Sequence, residues 1–237
     1  MTWSIVARDA DGAFGVAVAS RFFAVGALCP HARSGIGALS TQALVNPGYG
    51  PSGLDLLGRG VAATDAVARL VAGDEGREHR QLHLIDRRGR CAAHTGSQCI
   101  DWCGDRAHDG FSVAGNMLAG PAVLDETARA YQAHAGAPFA ERLLAAMAAG
   151  EAAGGDKRGR QAAALLIHTT EIYPFLDLRV DDHPNPIAEL QRLYEVSLER
   201  YQPFLACLPS AARPAGVTDR TAIEAEVERF QAARRQR

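Results

Sequence analysis

The chain has 237 residues and a formal net charge of −2, with 47% hydrophobic and 22% charged residues. This composition is typical of a soluble globular protein with one well-filled core, and the near-neutral charge excludes general attraction to nucleic acid or to an anionic membrane. No apolar run reaches the ~20 residues of a membrane span, and no signal peptide is expected because the first residues lack a basic start and a long apolar region. An odd count of five cysteines argues against a full disulfide framework, so we expect a cytoplasmic protein.

Short apolar segments with turn residues between them predict paired strands in the first part of the chain. Residues 3–8 and 13–20 predict a hairpin, because Gly12 supplies the positive φ that a tight turn needs. We expect residues 35–44 to form a further strand that pairs with residues 25–29. Alanine and glycine blur the alternation of these segments, which indicates strands buried on both faces.

Helices and strands follow one another in groups along the rest of the chain. Helices are predicted at residues 53–58, 63–70, 122–134, 139–149, 187–201 and 219–235. Further strands are predicted at residues 81–86, 90–95, 111–118, 161–168 and 175–181. Strand runs interrupted by helix pairs favour an α+β fold of two stacked, mainly antiparallel sheets with helices outside. We expect one domain over residues 1–202 and a C-terminal helical tail over residues 203–237, packed on it or partly loose, because a proline-rich stretch begins near Pro203.

Several long motifs are similar to those of the domain-of-unknown-function 1028 family. They are MTWSIVARD at the start, GVAVASRFFAVG at 15–26, STQALVNPGYGP at 40–51, Thr95-Gly96, GNML at 115–118 and GGDKRGRQ at 154–161. The resemblance spans about residues 1–182. It implies membership of the N-terminal-nucleophile (Ntn) hydrolase-like folds, and therefore a four-layer αββα sandwich.

The start of the chain also resembles that of proteasome-type subunits. Those chains begin with a threonine on the first strand, and a basic residue lies near the end of the second strand. Thr2 and Arg21 occupy the corresponding places here, with arginine where the proteasome pattern has lysine. Because arginine stays charged at any practical pH, Arg21 is suited to stabilising an anion and not to moving a proton.

The chemistry that this pattern predicts begins with Thr2 as a nucleophile. Removal of Met1 would expose the α-amine of Thr2, whose pKa of ~7.7–8.0 suits a general base for its own hydroxyl. Side-chain amides of Asn116, Gln42 or Asn46 are the expected donors to the oxyanion.

Other interpretations of the same residues stay open. Thr2 is equally suited to being a β-branched residue that starts a strand. Ser4 lies on the same face of that strand and is a weaker substitute nucleophile. An internal hydroxyl, such as that of Ser40 or Thr41, is a further alternative if Met1 is retained.

Two loops are predicted to bind the substrate. In the glycine-rich loop at 154–160, Arg158 and Arg160 are suited to holding a carboxylate or phosphate, and Asp156 is suited to orienting an amine. The segment with Ser40 and Gln42, together with the loop that begins at Asn46, is expected to line a pocket. A solvated turn and a purely structural loop are the respective alternatives.

Metal binding is not expected, although cysteines and histidines occur close together. Their spacing lacks the paired Cys-x-x-Cys pattern of a zinc site. These residues are Cys91, His94, Cys99, Cys103 and His108. No metal and no cofactor are expected.

The function that follows is an Ntn-type amidohydrolase acting on a C–N bond of a small, anionic metabolite. A small-molecule substrate and a homodimer are the expected partners, with no nucleic acid and no membrane. A non-catalytic small-molecule binder on the same fold is the principal rival, because fold does not fix function.

Overall fold

The computed structural model describes residues 2–236, and the strands in this range form two sheets in which all neighbouring strands are antiparallel. The strands are β1 (Thr2–Arg8), β2 (Phe14–Ser20), β3 (Pro30–Arg33), β4 (Gly37–Ala43), β5 (Arg80–Asp86), β6 (Cys91–Thr95), β7 (Trp102–His108), β8 (Phe111–Leu118), β9 (Ala162–His168) and β10 (Leu176–Val180). The helices are α1 (Tyr49–Gly58), α2 (Ala63–Ala72), α3 (Ala122–Ala133), α4 (Phe139–Ala152), α5 (Pro186–Ser197), α6 (Tyr201–Leu205) and α7 (Arg220–Arg235).

The layers follow from which elements touch. The larger sheet has the strand order β10-β9-β2-β1-β8-β7, and the smaller has the order β3-β4-β5-β6. Helices α3 and α4 pack on the larger sheet, while α1 and α2 pack on the smaller one. The sheets face each other, since β1 contacts β4 and β5 contacts β8. The predicted α+β fold with four αββα layers is therefore confirmed.

Strand β1 lies inside the larger sheet and is buried on both faces, as the blurred alternation predicted. Val6 packs between the sheets against Ala38 and Ile85. Trp3 points to the helical side, where its Nε1 would lie 2.8 Å from a Cβ placed on Gly150 of α4. Because side chains alternate along a strand, Thr2 shares the intersheet face with Val6.

Two parts of the sheet prediction were wrong. Residues 25–29 do not form the strand beside β4, because Val25–Ala27 is a 3-10 turn entered through a left-handed Ala24, and β3 takes that place. Strand β7 was not predicted, since its sequence WCGDRAH mixes charged, small and polar residues without a clear alternation. It is an edge strand with partly exposed side chains, so it needs no continuous apolar face.

Two helix limits also differ from the prediction. Helix α1 begins at Tyr49, earlier than the predicted residue 53. The predicted helix over 187–201 ends at Ser197, and a separate helix α6 contains Pro203. Pro203 lies in the first turn of α6, where a missing N–H costs no helical hydrogen bond.

The chain divides into two compact units, one that ends at Leu190 and one that begins at Gln191. Within the second unit, Arg200 of the segment before α6 pairs with Glu224 of α7 at 2.6 Å, and Gln231 Nε2 donates to the Leu198 carbonyl at 2.8 Å. The predicted domain limit at residue 202 stays a prediction. Between residues 2 and 236, no helix combines the length and the apolar character that crossing a membrane requires.

Candidate active site

Thr2 begins β1 and lies between two neighbouring strands of the larger sheet. It is paired with Ser20 at the end of β2 and with Asn116 near the end of β8. The Thr2 hydroxyl donates to Ser20 Oγ at 3.2 Å, and Asn116 Nδ2 donates to the Thr2 carbonyl at 3.5 Å. Only 5% of Thr2 is exposed. The backbone at Thr2 is therefore held on both sides, while its side chain faces the space between the sheets.

A cavity of about 430 Å³, which we call the Thr2 compartment, opens beside this residue. Its lining is mainly apolar and includes one buried thiol. The lining residues are Thr2, Phe22, Val25, Leu28, Cys29, Gln42, Ala43, Leu44, Val45 and Arg80. Burial raises the pKa of Cys29 to about 12, so its thiol stays protonated and acts as part of the apolar wall.

A second cavity of about 380 Å³, the Arg158 compartment, shares Phe22, Ala43 and Leu44 with the first. Its remaining lining consists of His79, Gln98, Cys99, Ile100, Asn116, Met117 and Arg158. The shared residues make the two cavities neighbouring halves of one cleft. Asn116, which lines the second half, is hydrogen-bonded to Thr2, which lines the first.

Unusual backbone conformations are concentrated around this cleft. Among the non-glycine residues that the structure describes, those with positive φ are Ala24 (53°), Ala43 (69°), Asp101 (55°) and Met117 (52°). Ala43 and Met117 line the cleft, Ala24 precedes Val25, and Asp101 follows Ile100. Left-handed backbone is unfavourable for residues with a Cβ and tends to occur at functional sites.

Behind Thr2, a chain of hydrogen bonds crosses from one sheet to the other. Ser4 Oγ donates to Gln42 Oε1 at 2.9 Å and lies 2.8 Å from His83 Nε2. The Ser4 hydroxyl donates its proton to Gln42, so in the contact with His83 it is the acceptor and Nε2 is the donor. Nδ1 of the neutral ring then accepts from Ser112 Oγ at 3.1 Å. Burial lowers the pKa of His83 to about 3, which keeps this imidazole neutral.

The same network fixes the side-chain amides next to the cleft. Gln42 Nε2 donates to Gln81 Oε1 at 2.8 Å, and Asn116 Nδ2 donates to the same oxygen at 3.0 Å. Gln81 Nε2 in turn meets the carbonyl of Gly115 at 2.9 Å and Thr95 Oγ1 at 2.9 Å. Asn116 thus directs its amide group to Gln81 and Thr2. Among residues 2–236, the second Nε2 hydrogen of Gln42 has no acceptor, and Gln42 lines the Thr2 compartment.

Two predicted residues, Arg21 and Asp156, meet at the end of β2, and the carboxylate contacts the arginine backbone. The Arg21 backbone N–H donates to Asp156 Oδ2 at 2.7 Å, and its Nη1 donates to the Arg158 carbonyl at 3.1 Å. The Arg21 side chain belongs to a separate surface hollow of about 540 Å³ that Arg160 also lines. Arg21 is therefore outside the cleft, and Ser20 takes the place opposite Thr2.

Asp156 orients one arginine of the cleft. Its side chain is fully buried, and Oδ1 accepts the Arg158 backbone N–H at 2.9 Å while Oδ2 lies 3.3 Å from Arg158 Nη2. The Arg158 side chain remains 41% exposed and lines the second compartment. Arg160 instead lies 3.4 Å from Glu151 and donates to Asn185 at 3.0 Å, away from the cleft.

Ser40 and Asn46 do not line the cleft. Ser40 is fully buried and donates to Gln42 Oε1 at 3.4 Å. Asn46 Nδ2 donates to Asp74 Oδ2 at 2.9 Å, and this hydrogen bond is the largest cause of the strongly lowered Asp74 pKa. The resulting carboxylate pairs with Arg80 at 3.1 Å, so Asn46 acts on the cleft only through that pair.

Sequence reasoning missed Ser20, Arg80, Gln81 and His83. The position of Ser20 could have been predicted from the sequence, because extending the first hairpin outward from its Asp-Gly turn pairs residue 2 with residue 20. Gln81 and His83 alternate with the buried Leu82 and Leu84 in β5. Polar residues at that spacing between apolar ones indicate a polar intersheet face.

The cysteines are free thiols, and burial raises the pKa of Cys91 to about 12 as well. Within the described part of the chain, no group of three or more His, Cys, Asp or Glu side chains is arranged to hold a metal ion.

The architecture and the cleft define a four-layer αββα protein with a candidate active site at the start of a central strand. Its sequence matches the model of a family of unknown function (DUF1028) over residues 2–190, and the chain belongs to that family. The resemblance drawn from the motifs is therefore confirmed.

Solved structures give two further comparisons. The crystal structure of protein SPO2555 from Silicibacter pomeroyi, of the same family, is 33% identical, with a TM-score of 0.85 over 92% of this chain and 96% of that one. Anbu (ancestral beta-subunit) from Yersinia bercovieri is 15% identical, with a TM-score of 0.36 over 88% of this chain and 98% of that one. No curated protein matches the present chain.

Proposed function

We propose that the protein is an Ntn-type amidohydrolase that cleaves a C–N bond of a small, anionic metabolite, with Thr2 as the nucleophile. One observation carries the proposal. Thr2 stands at the start of a central strand, is only 5% exposed, and yet lines a cavity of about 430 Å³ between the sheets. The proposal requires removal of Met1, which lies outside the described residues.

The reaction would use the amine of Thr2 as the base. Thr2 Oγ attacks the amide carbonyl as its proton passes to the α-amine, and the C–N bond breaks as that proton moves to the leaving amine. Water then hydrolyses the Thr2 ester and regenerates the hydroxyl. The Gln42 hydrogen that lacks an acceptor among residues 2–236 is the donor we assign to the oxyanion, while Asn116 positions the Thr2 backbone.

Internal hydroxyls are less suited to the role. Ser4 lies 2.8 Å from His83, but both side chains are fully buried, and a His83 pKa of about 3 makes it a poor base near neutral pH. Ser40 and Thr41 are also fully buried and outside the lining of the cleft. Thr2 is the hydroxyl in this set that faces a cavity.

The expected setting of this reaction also remains a proposal. All five cysteines are free thiols, which suits a reducing cytoplasm. A small molecule in the cleft is the proposed partner. The expected homodimer is tested by sedimentation of the purified protein at several concentrations.

The test begins with the intact mass of protein purified without a tag at its N-terminus, which should lack one methionine. An amide library then compares the parent with Thr2→Ala and Thr2→Ser. We expect Thr2→Ala to lose at least about a thousandfold in kcat/KM, because the nucleophile is gone, while Thr2→Ser retains measurable turnover. Thr64→Ala is the matched control, since Thr64 is exposed on α2.

Three outcomes contradict the proposal. If the mass of active protein still includes Met1, the α-amine of Thr2 is blocked and cannot be the base. Full activity of Thr2→Ala would show that another residue is the nucleophile. Binding of small amides without turnover by the parent identifies a non-catalytic binder.

A further inference from the structure

The two halves of the cleft present different side chains, and these side chains bear on the substrate of the proposed reaction. The Thr2 compartment is walled by Val25, Leu28 and Val45 together with the protonated Cys29. Arg80 also lines it, but its guanidinium pairs with Asp74 at 3.1 Å and donates to the Leu44 carbonyl. The Arg158 compartment instead presents His79, Gln98 and the Arg158 guanidinium. Apolar groups gain free energy from burial against the first wall, and anions gain from the second.

The reacting atoms stand at the junction of these halves. Thr2 and Gln42 line the apolar side, and Asn116, which is hydrogen-bonded to Thr2, lines the polar side. Phe22, Ala43 and Leu44 are shared by both. A scissile amide at Thr2 would therefore lie at this junction, with the Thr2 compartment on one side and the shared residues leading towards Arg158 on the other.

Arg158 is prepared for an anion by the residues around it. Asp156, whose side chain is fully buried, accepts from the Arg158 backbone N–H at 2.9 Å and lies 3.3 Å from Nη2, so it fixes the direction of the guanidinium. The arginine side chain nevertheless stays 41% exposed at the cavity. A partly exposed, preorganised guanidinium is suited to binding a carboxylate.

We infer that the substrate is an N-acylated amino acid or a similar amide, with an apolar acyl group in the Thr2 compartment and a carboxylate on the amine side held by Arg158. This inference rests on the proposed function for the position of the amide. It adds which side of the amide is apolar and which is anionic. Each compartment, at about 430 and 380 Å³, has the volume of a small-ligand site.

The inference can be tested without turnover, in the full-length Thr2→Ala variant by titration calorimetry. The ligands are acylglycines with acetyl, butanoyl and hexanoyl groups, and the corresponding acylglycinamides, which lack the carboxylate. We expect the affinity to rise about fourfold for each added methylene until the compartment is filled. The acylglycine should bind more than about tenfold better than its glycinamide partner.

Two further variants on the Thr2→Ala background assign the carboxylate to its partner. Arg158→Gln should abolish the preference for the carboxylate, and Arg160→Gln should keep it, because Arg160 lies away from the cleft beside Glu151. The readout is the ratio of affinities for two ligands in one variant, so a general loss of affinity does not obscure it.

Several results overturn the inference. Affinity that does not change with acyl length refutes the apolar compartment, and a carboxylate preference that survives Arg158→Gln refutes the anion site. Failure of hydrolysis in the parent alone contradicts the proposed function and not this binding pattern.

Discussion

Protonation of His83 should govern part of the acid sensitivity of the protein. Burial lowers its pKa from 6.5 to about 3, and the neutral ring donates to Ser4 and accepts from Ser112 between the sheets. In the unfolded chain the imidazole recovers its ordinary pKa. Below that value the unfolded state binds a proton that the folded state does not, so stability falls as the pH decreases towards the pKa of the folded state.

The magnitude follows from the two pKa values. Each pH unit between them costs about 1.4 kcal/mol, and the loss between about pH 7 and about pH 5 is roughly 2 kcal/mol from this group alone. His31 and His168 also have lowered pKa values, caused mainly by burial, and add to the total. A comparison of variants is therefore needed to isolate His83.

The assay is urea unfolding at both pH values for the parent and for His83→Gln, whose amide keeps one donor and one acceptor. The variant should lose roughly 2 kcal/mol less than the parent on acidification, whatever its stability at neutral pH. His134→Gln is the control for the substitution, because His134 is exposed, and it should behave as the parent does. Equal losses in the parent and in His83→Gln would refute the reasoning.

Two other substitutions test the packing and the backbone strain by chemical denaturation. Gly150→Ala should cost about 1–3 kcal/mol, because its Cβ would lie 2.3 Å from Thr127 Oγ1, whereas Gly136→Ala, with open space around it, should stay within about 0.5 kcal/mol. Equal stability of these two variants would contradict the described helix packing. Ala43→Gly should be neutral or stabilising by up to about 1 kcal/mol, because φ is 69° there, while Ala148→Gly in α4 should cost about 1 kcal/mol. A cost at position 43 as large as at 148 would contradict the left-handed backbone.

Local sequence patterns predicted most of the fold, because apolar periodicity and turn glycines act over short distances. The hairpin of β1 and β2 and the helices α3 and α4 are examples. Strand β7 was not predicted, because an edge strand needs no continuous apolar face and therefore leaves no apolar pattern in the sequence. The turn at Val25–Ala27 was not predicted, because it is entered through a left-handed alanine, Ala24, and an alanine does not indicate that conformation as a glycine would.

The candidate site was predicted less completely than the fold. Thr2, Gln42 and Asn116 were expected at the site on chemical grounds, and the structure brings them together at the cleft. Arg21 was expected to stabilise an anion at the site, but its side chain lines a separate surface hollow, and the strand register pairs Thr2 with Ser20. Arg80 lies on β5 of the smaller sheet, whereas Thr2 lies on β1 of the larger one. No short-range sequence pattern predicts a contact between segments so far apart in the chain.

The walls of the cleft come from segments scattered between Thr2 and Arg158, on strands of both sheets and the loops between them. No fragment limited to one sheet contains a complete cleft, so the recognition surface arises only after long-range chain closure. A bound ligand would consequently favour the completely folded first unit over partly opened forms. Occupancy of the cleft would then report on the integrity of the whole sandwich and protect it from proteolysis, even at sites far from the ligand.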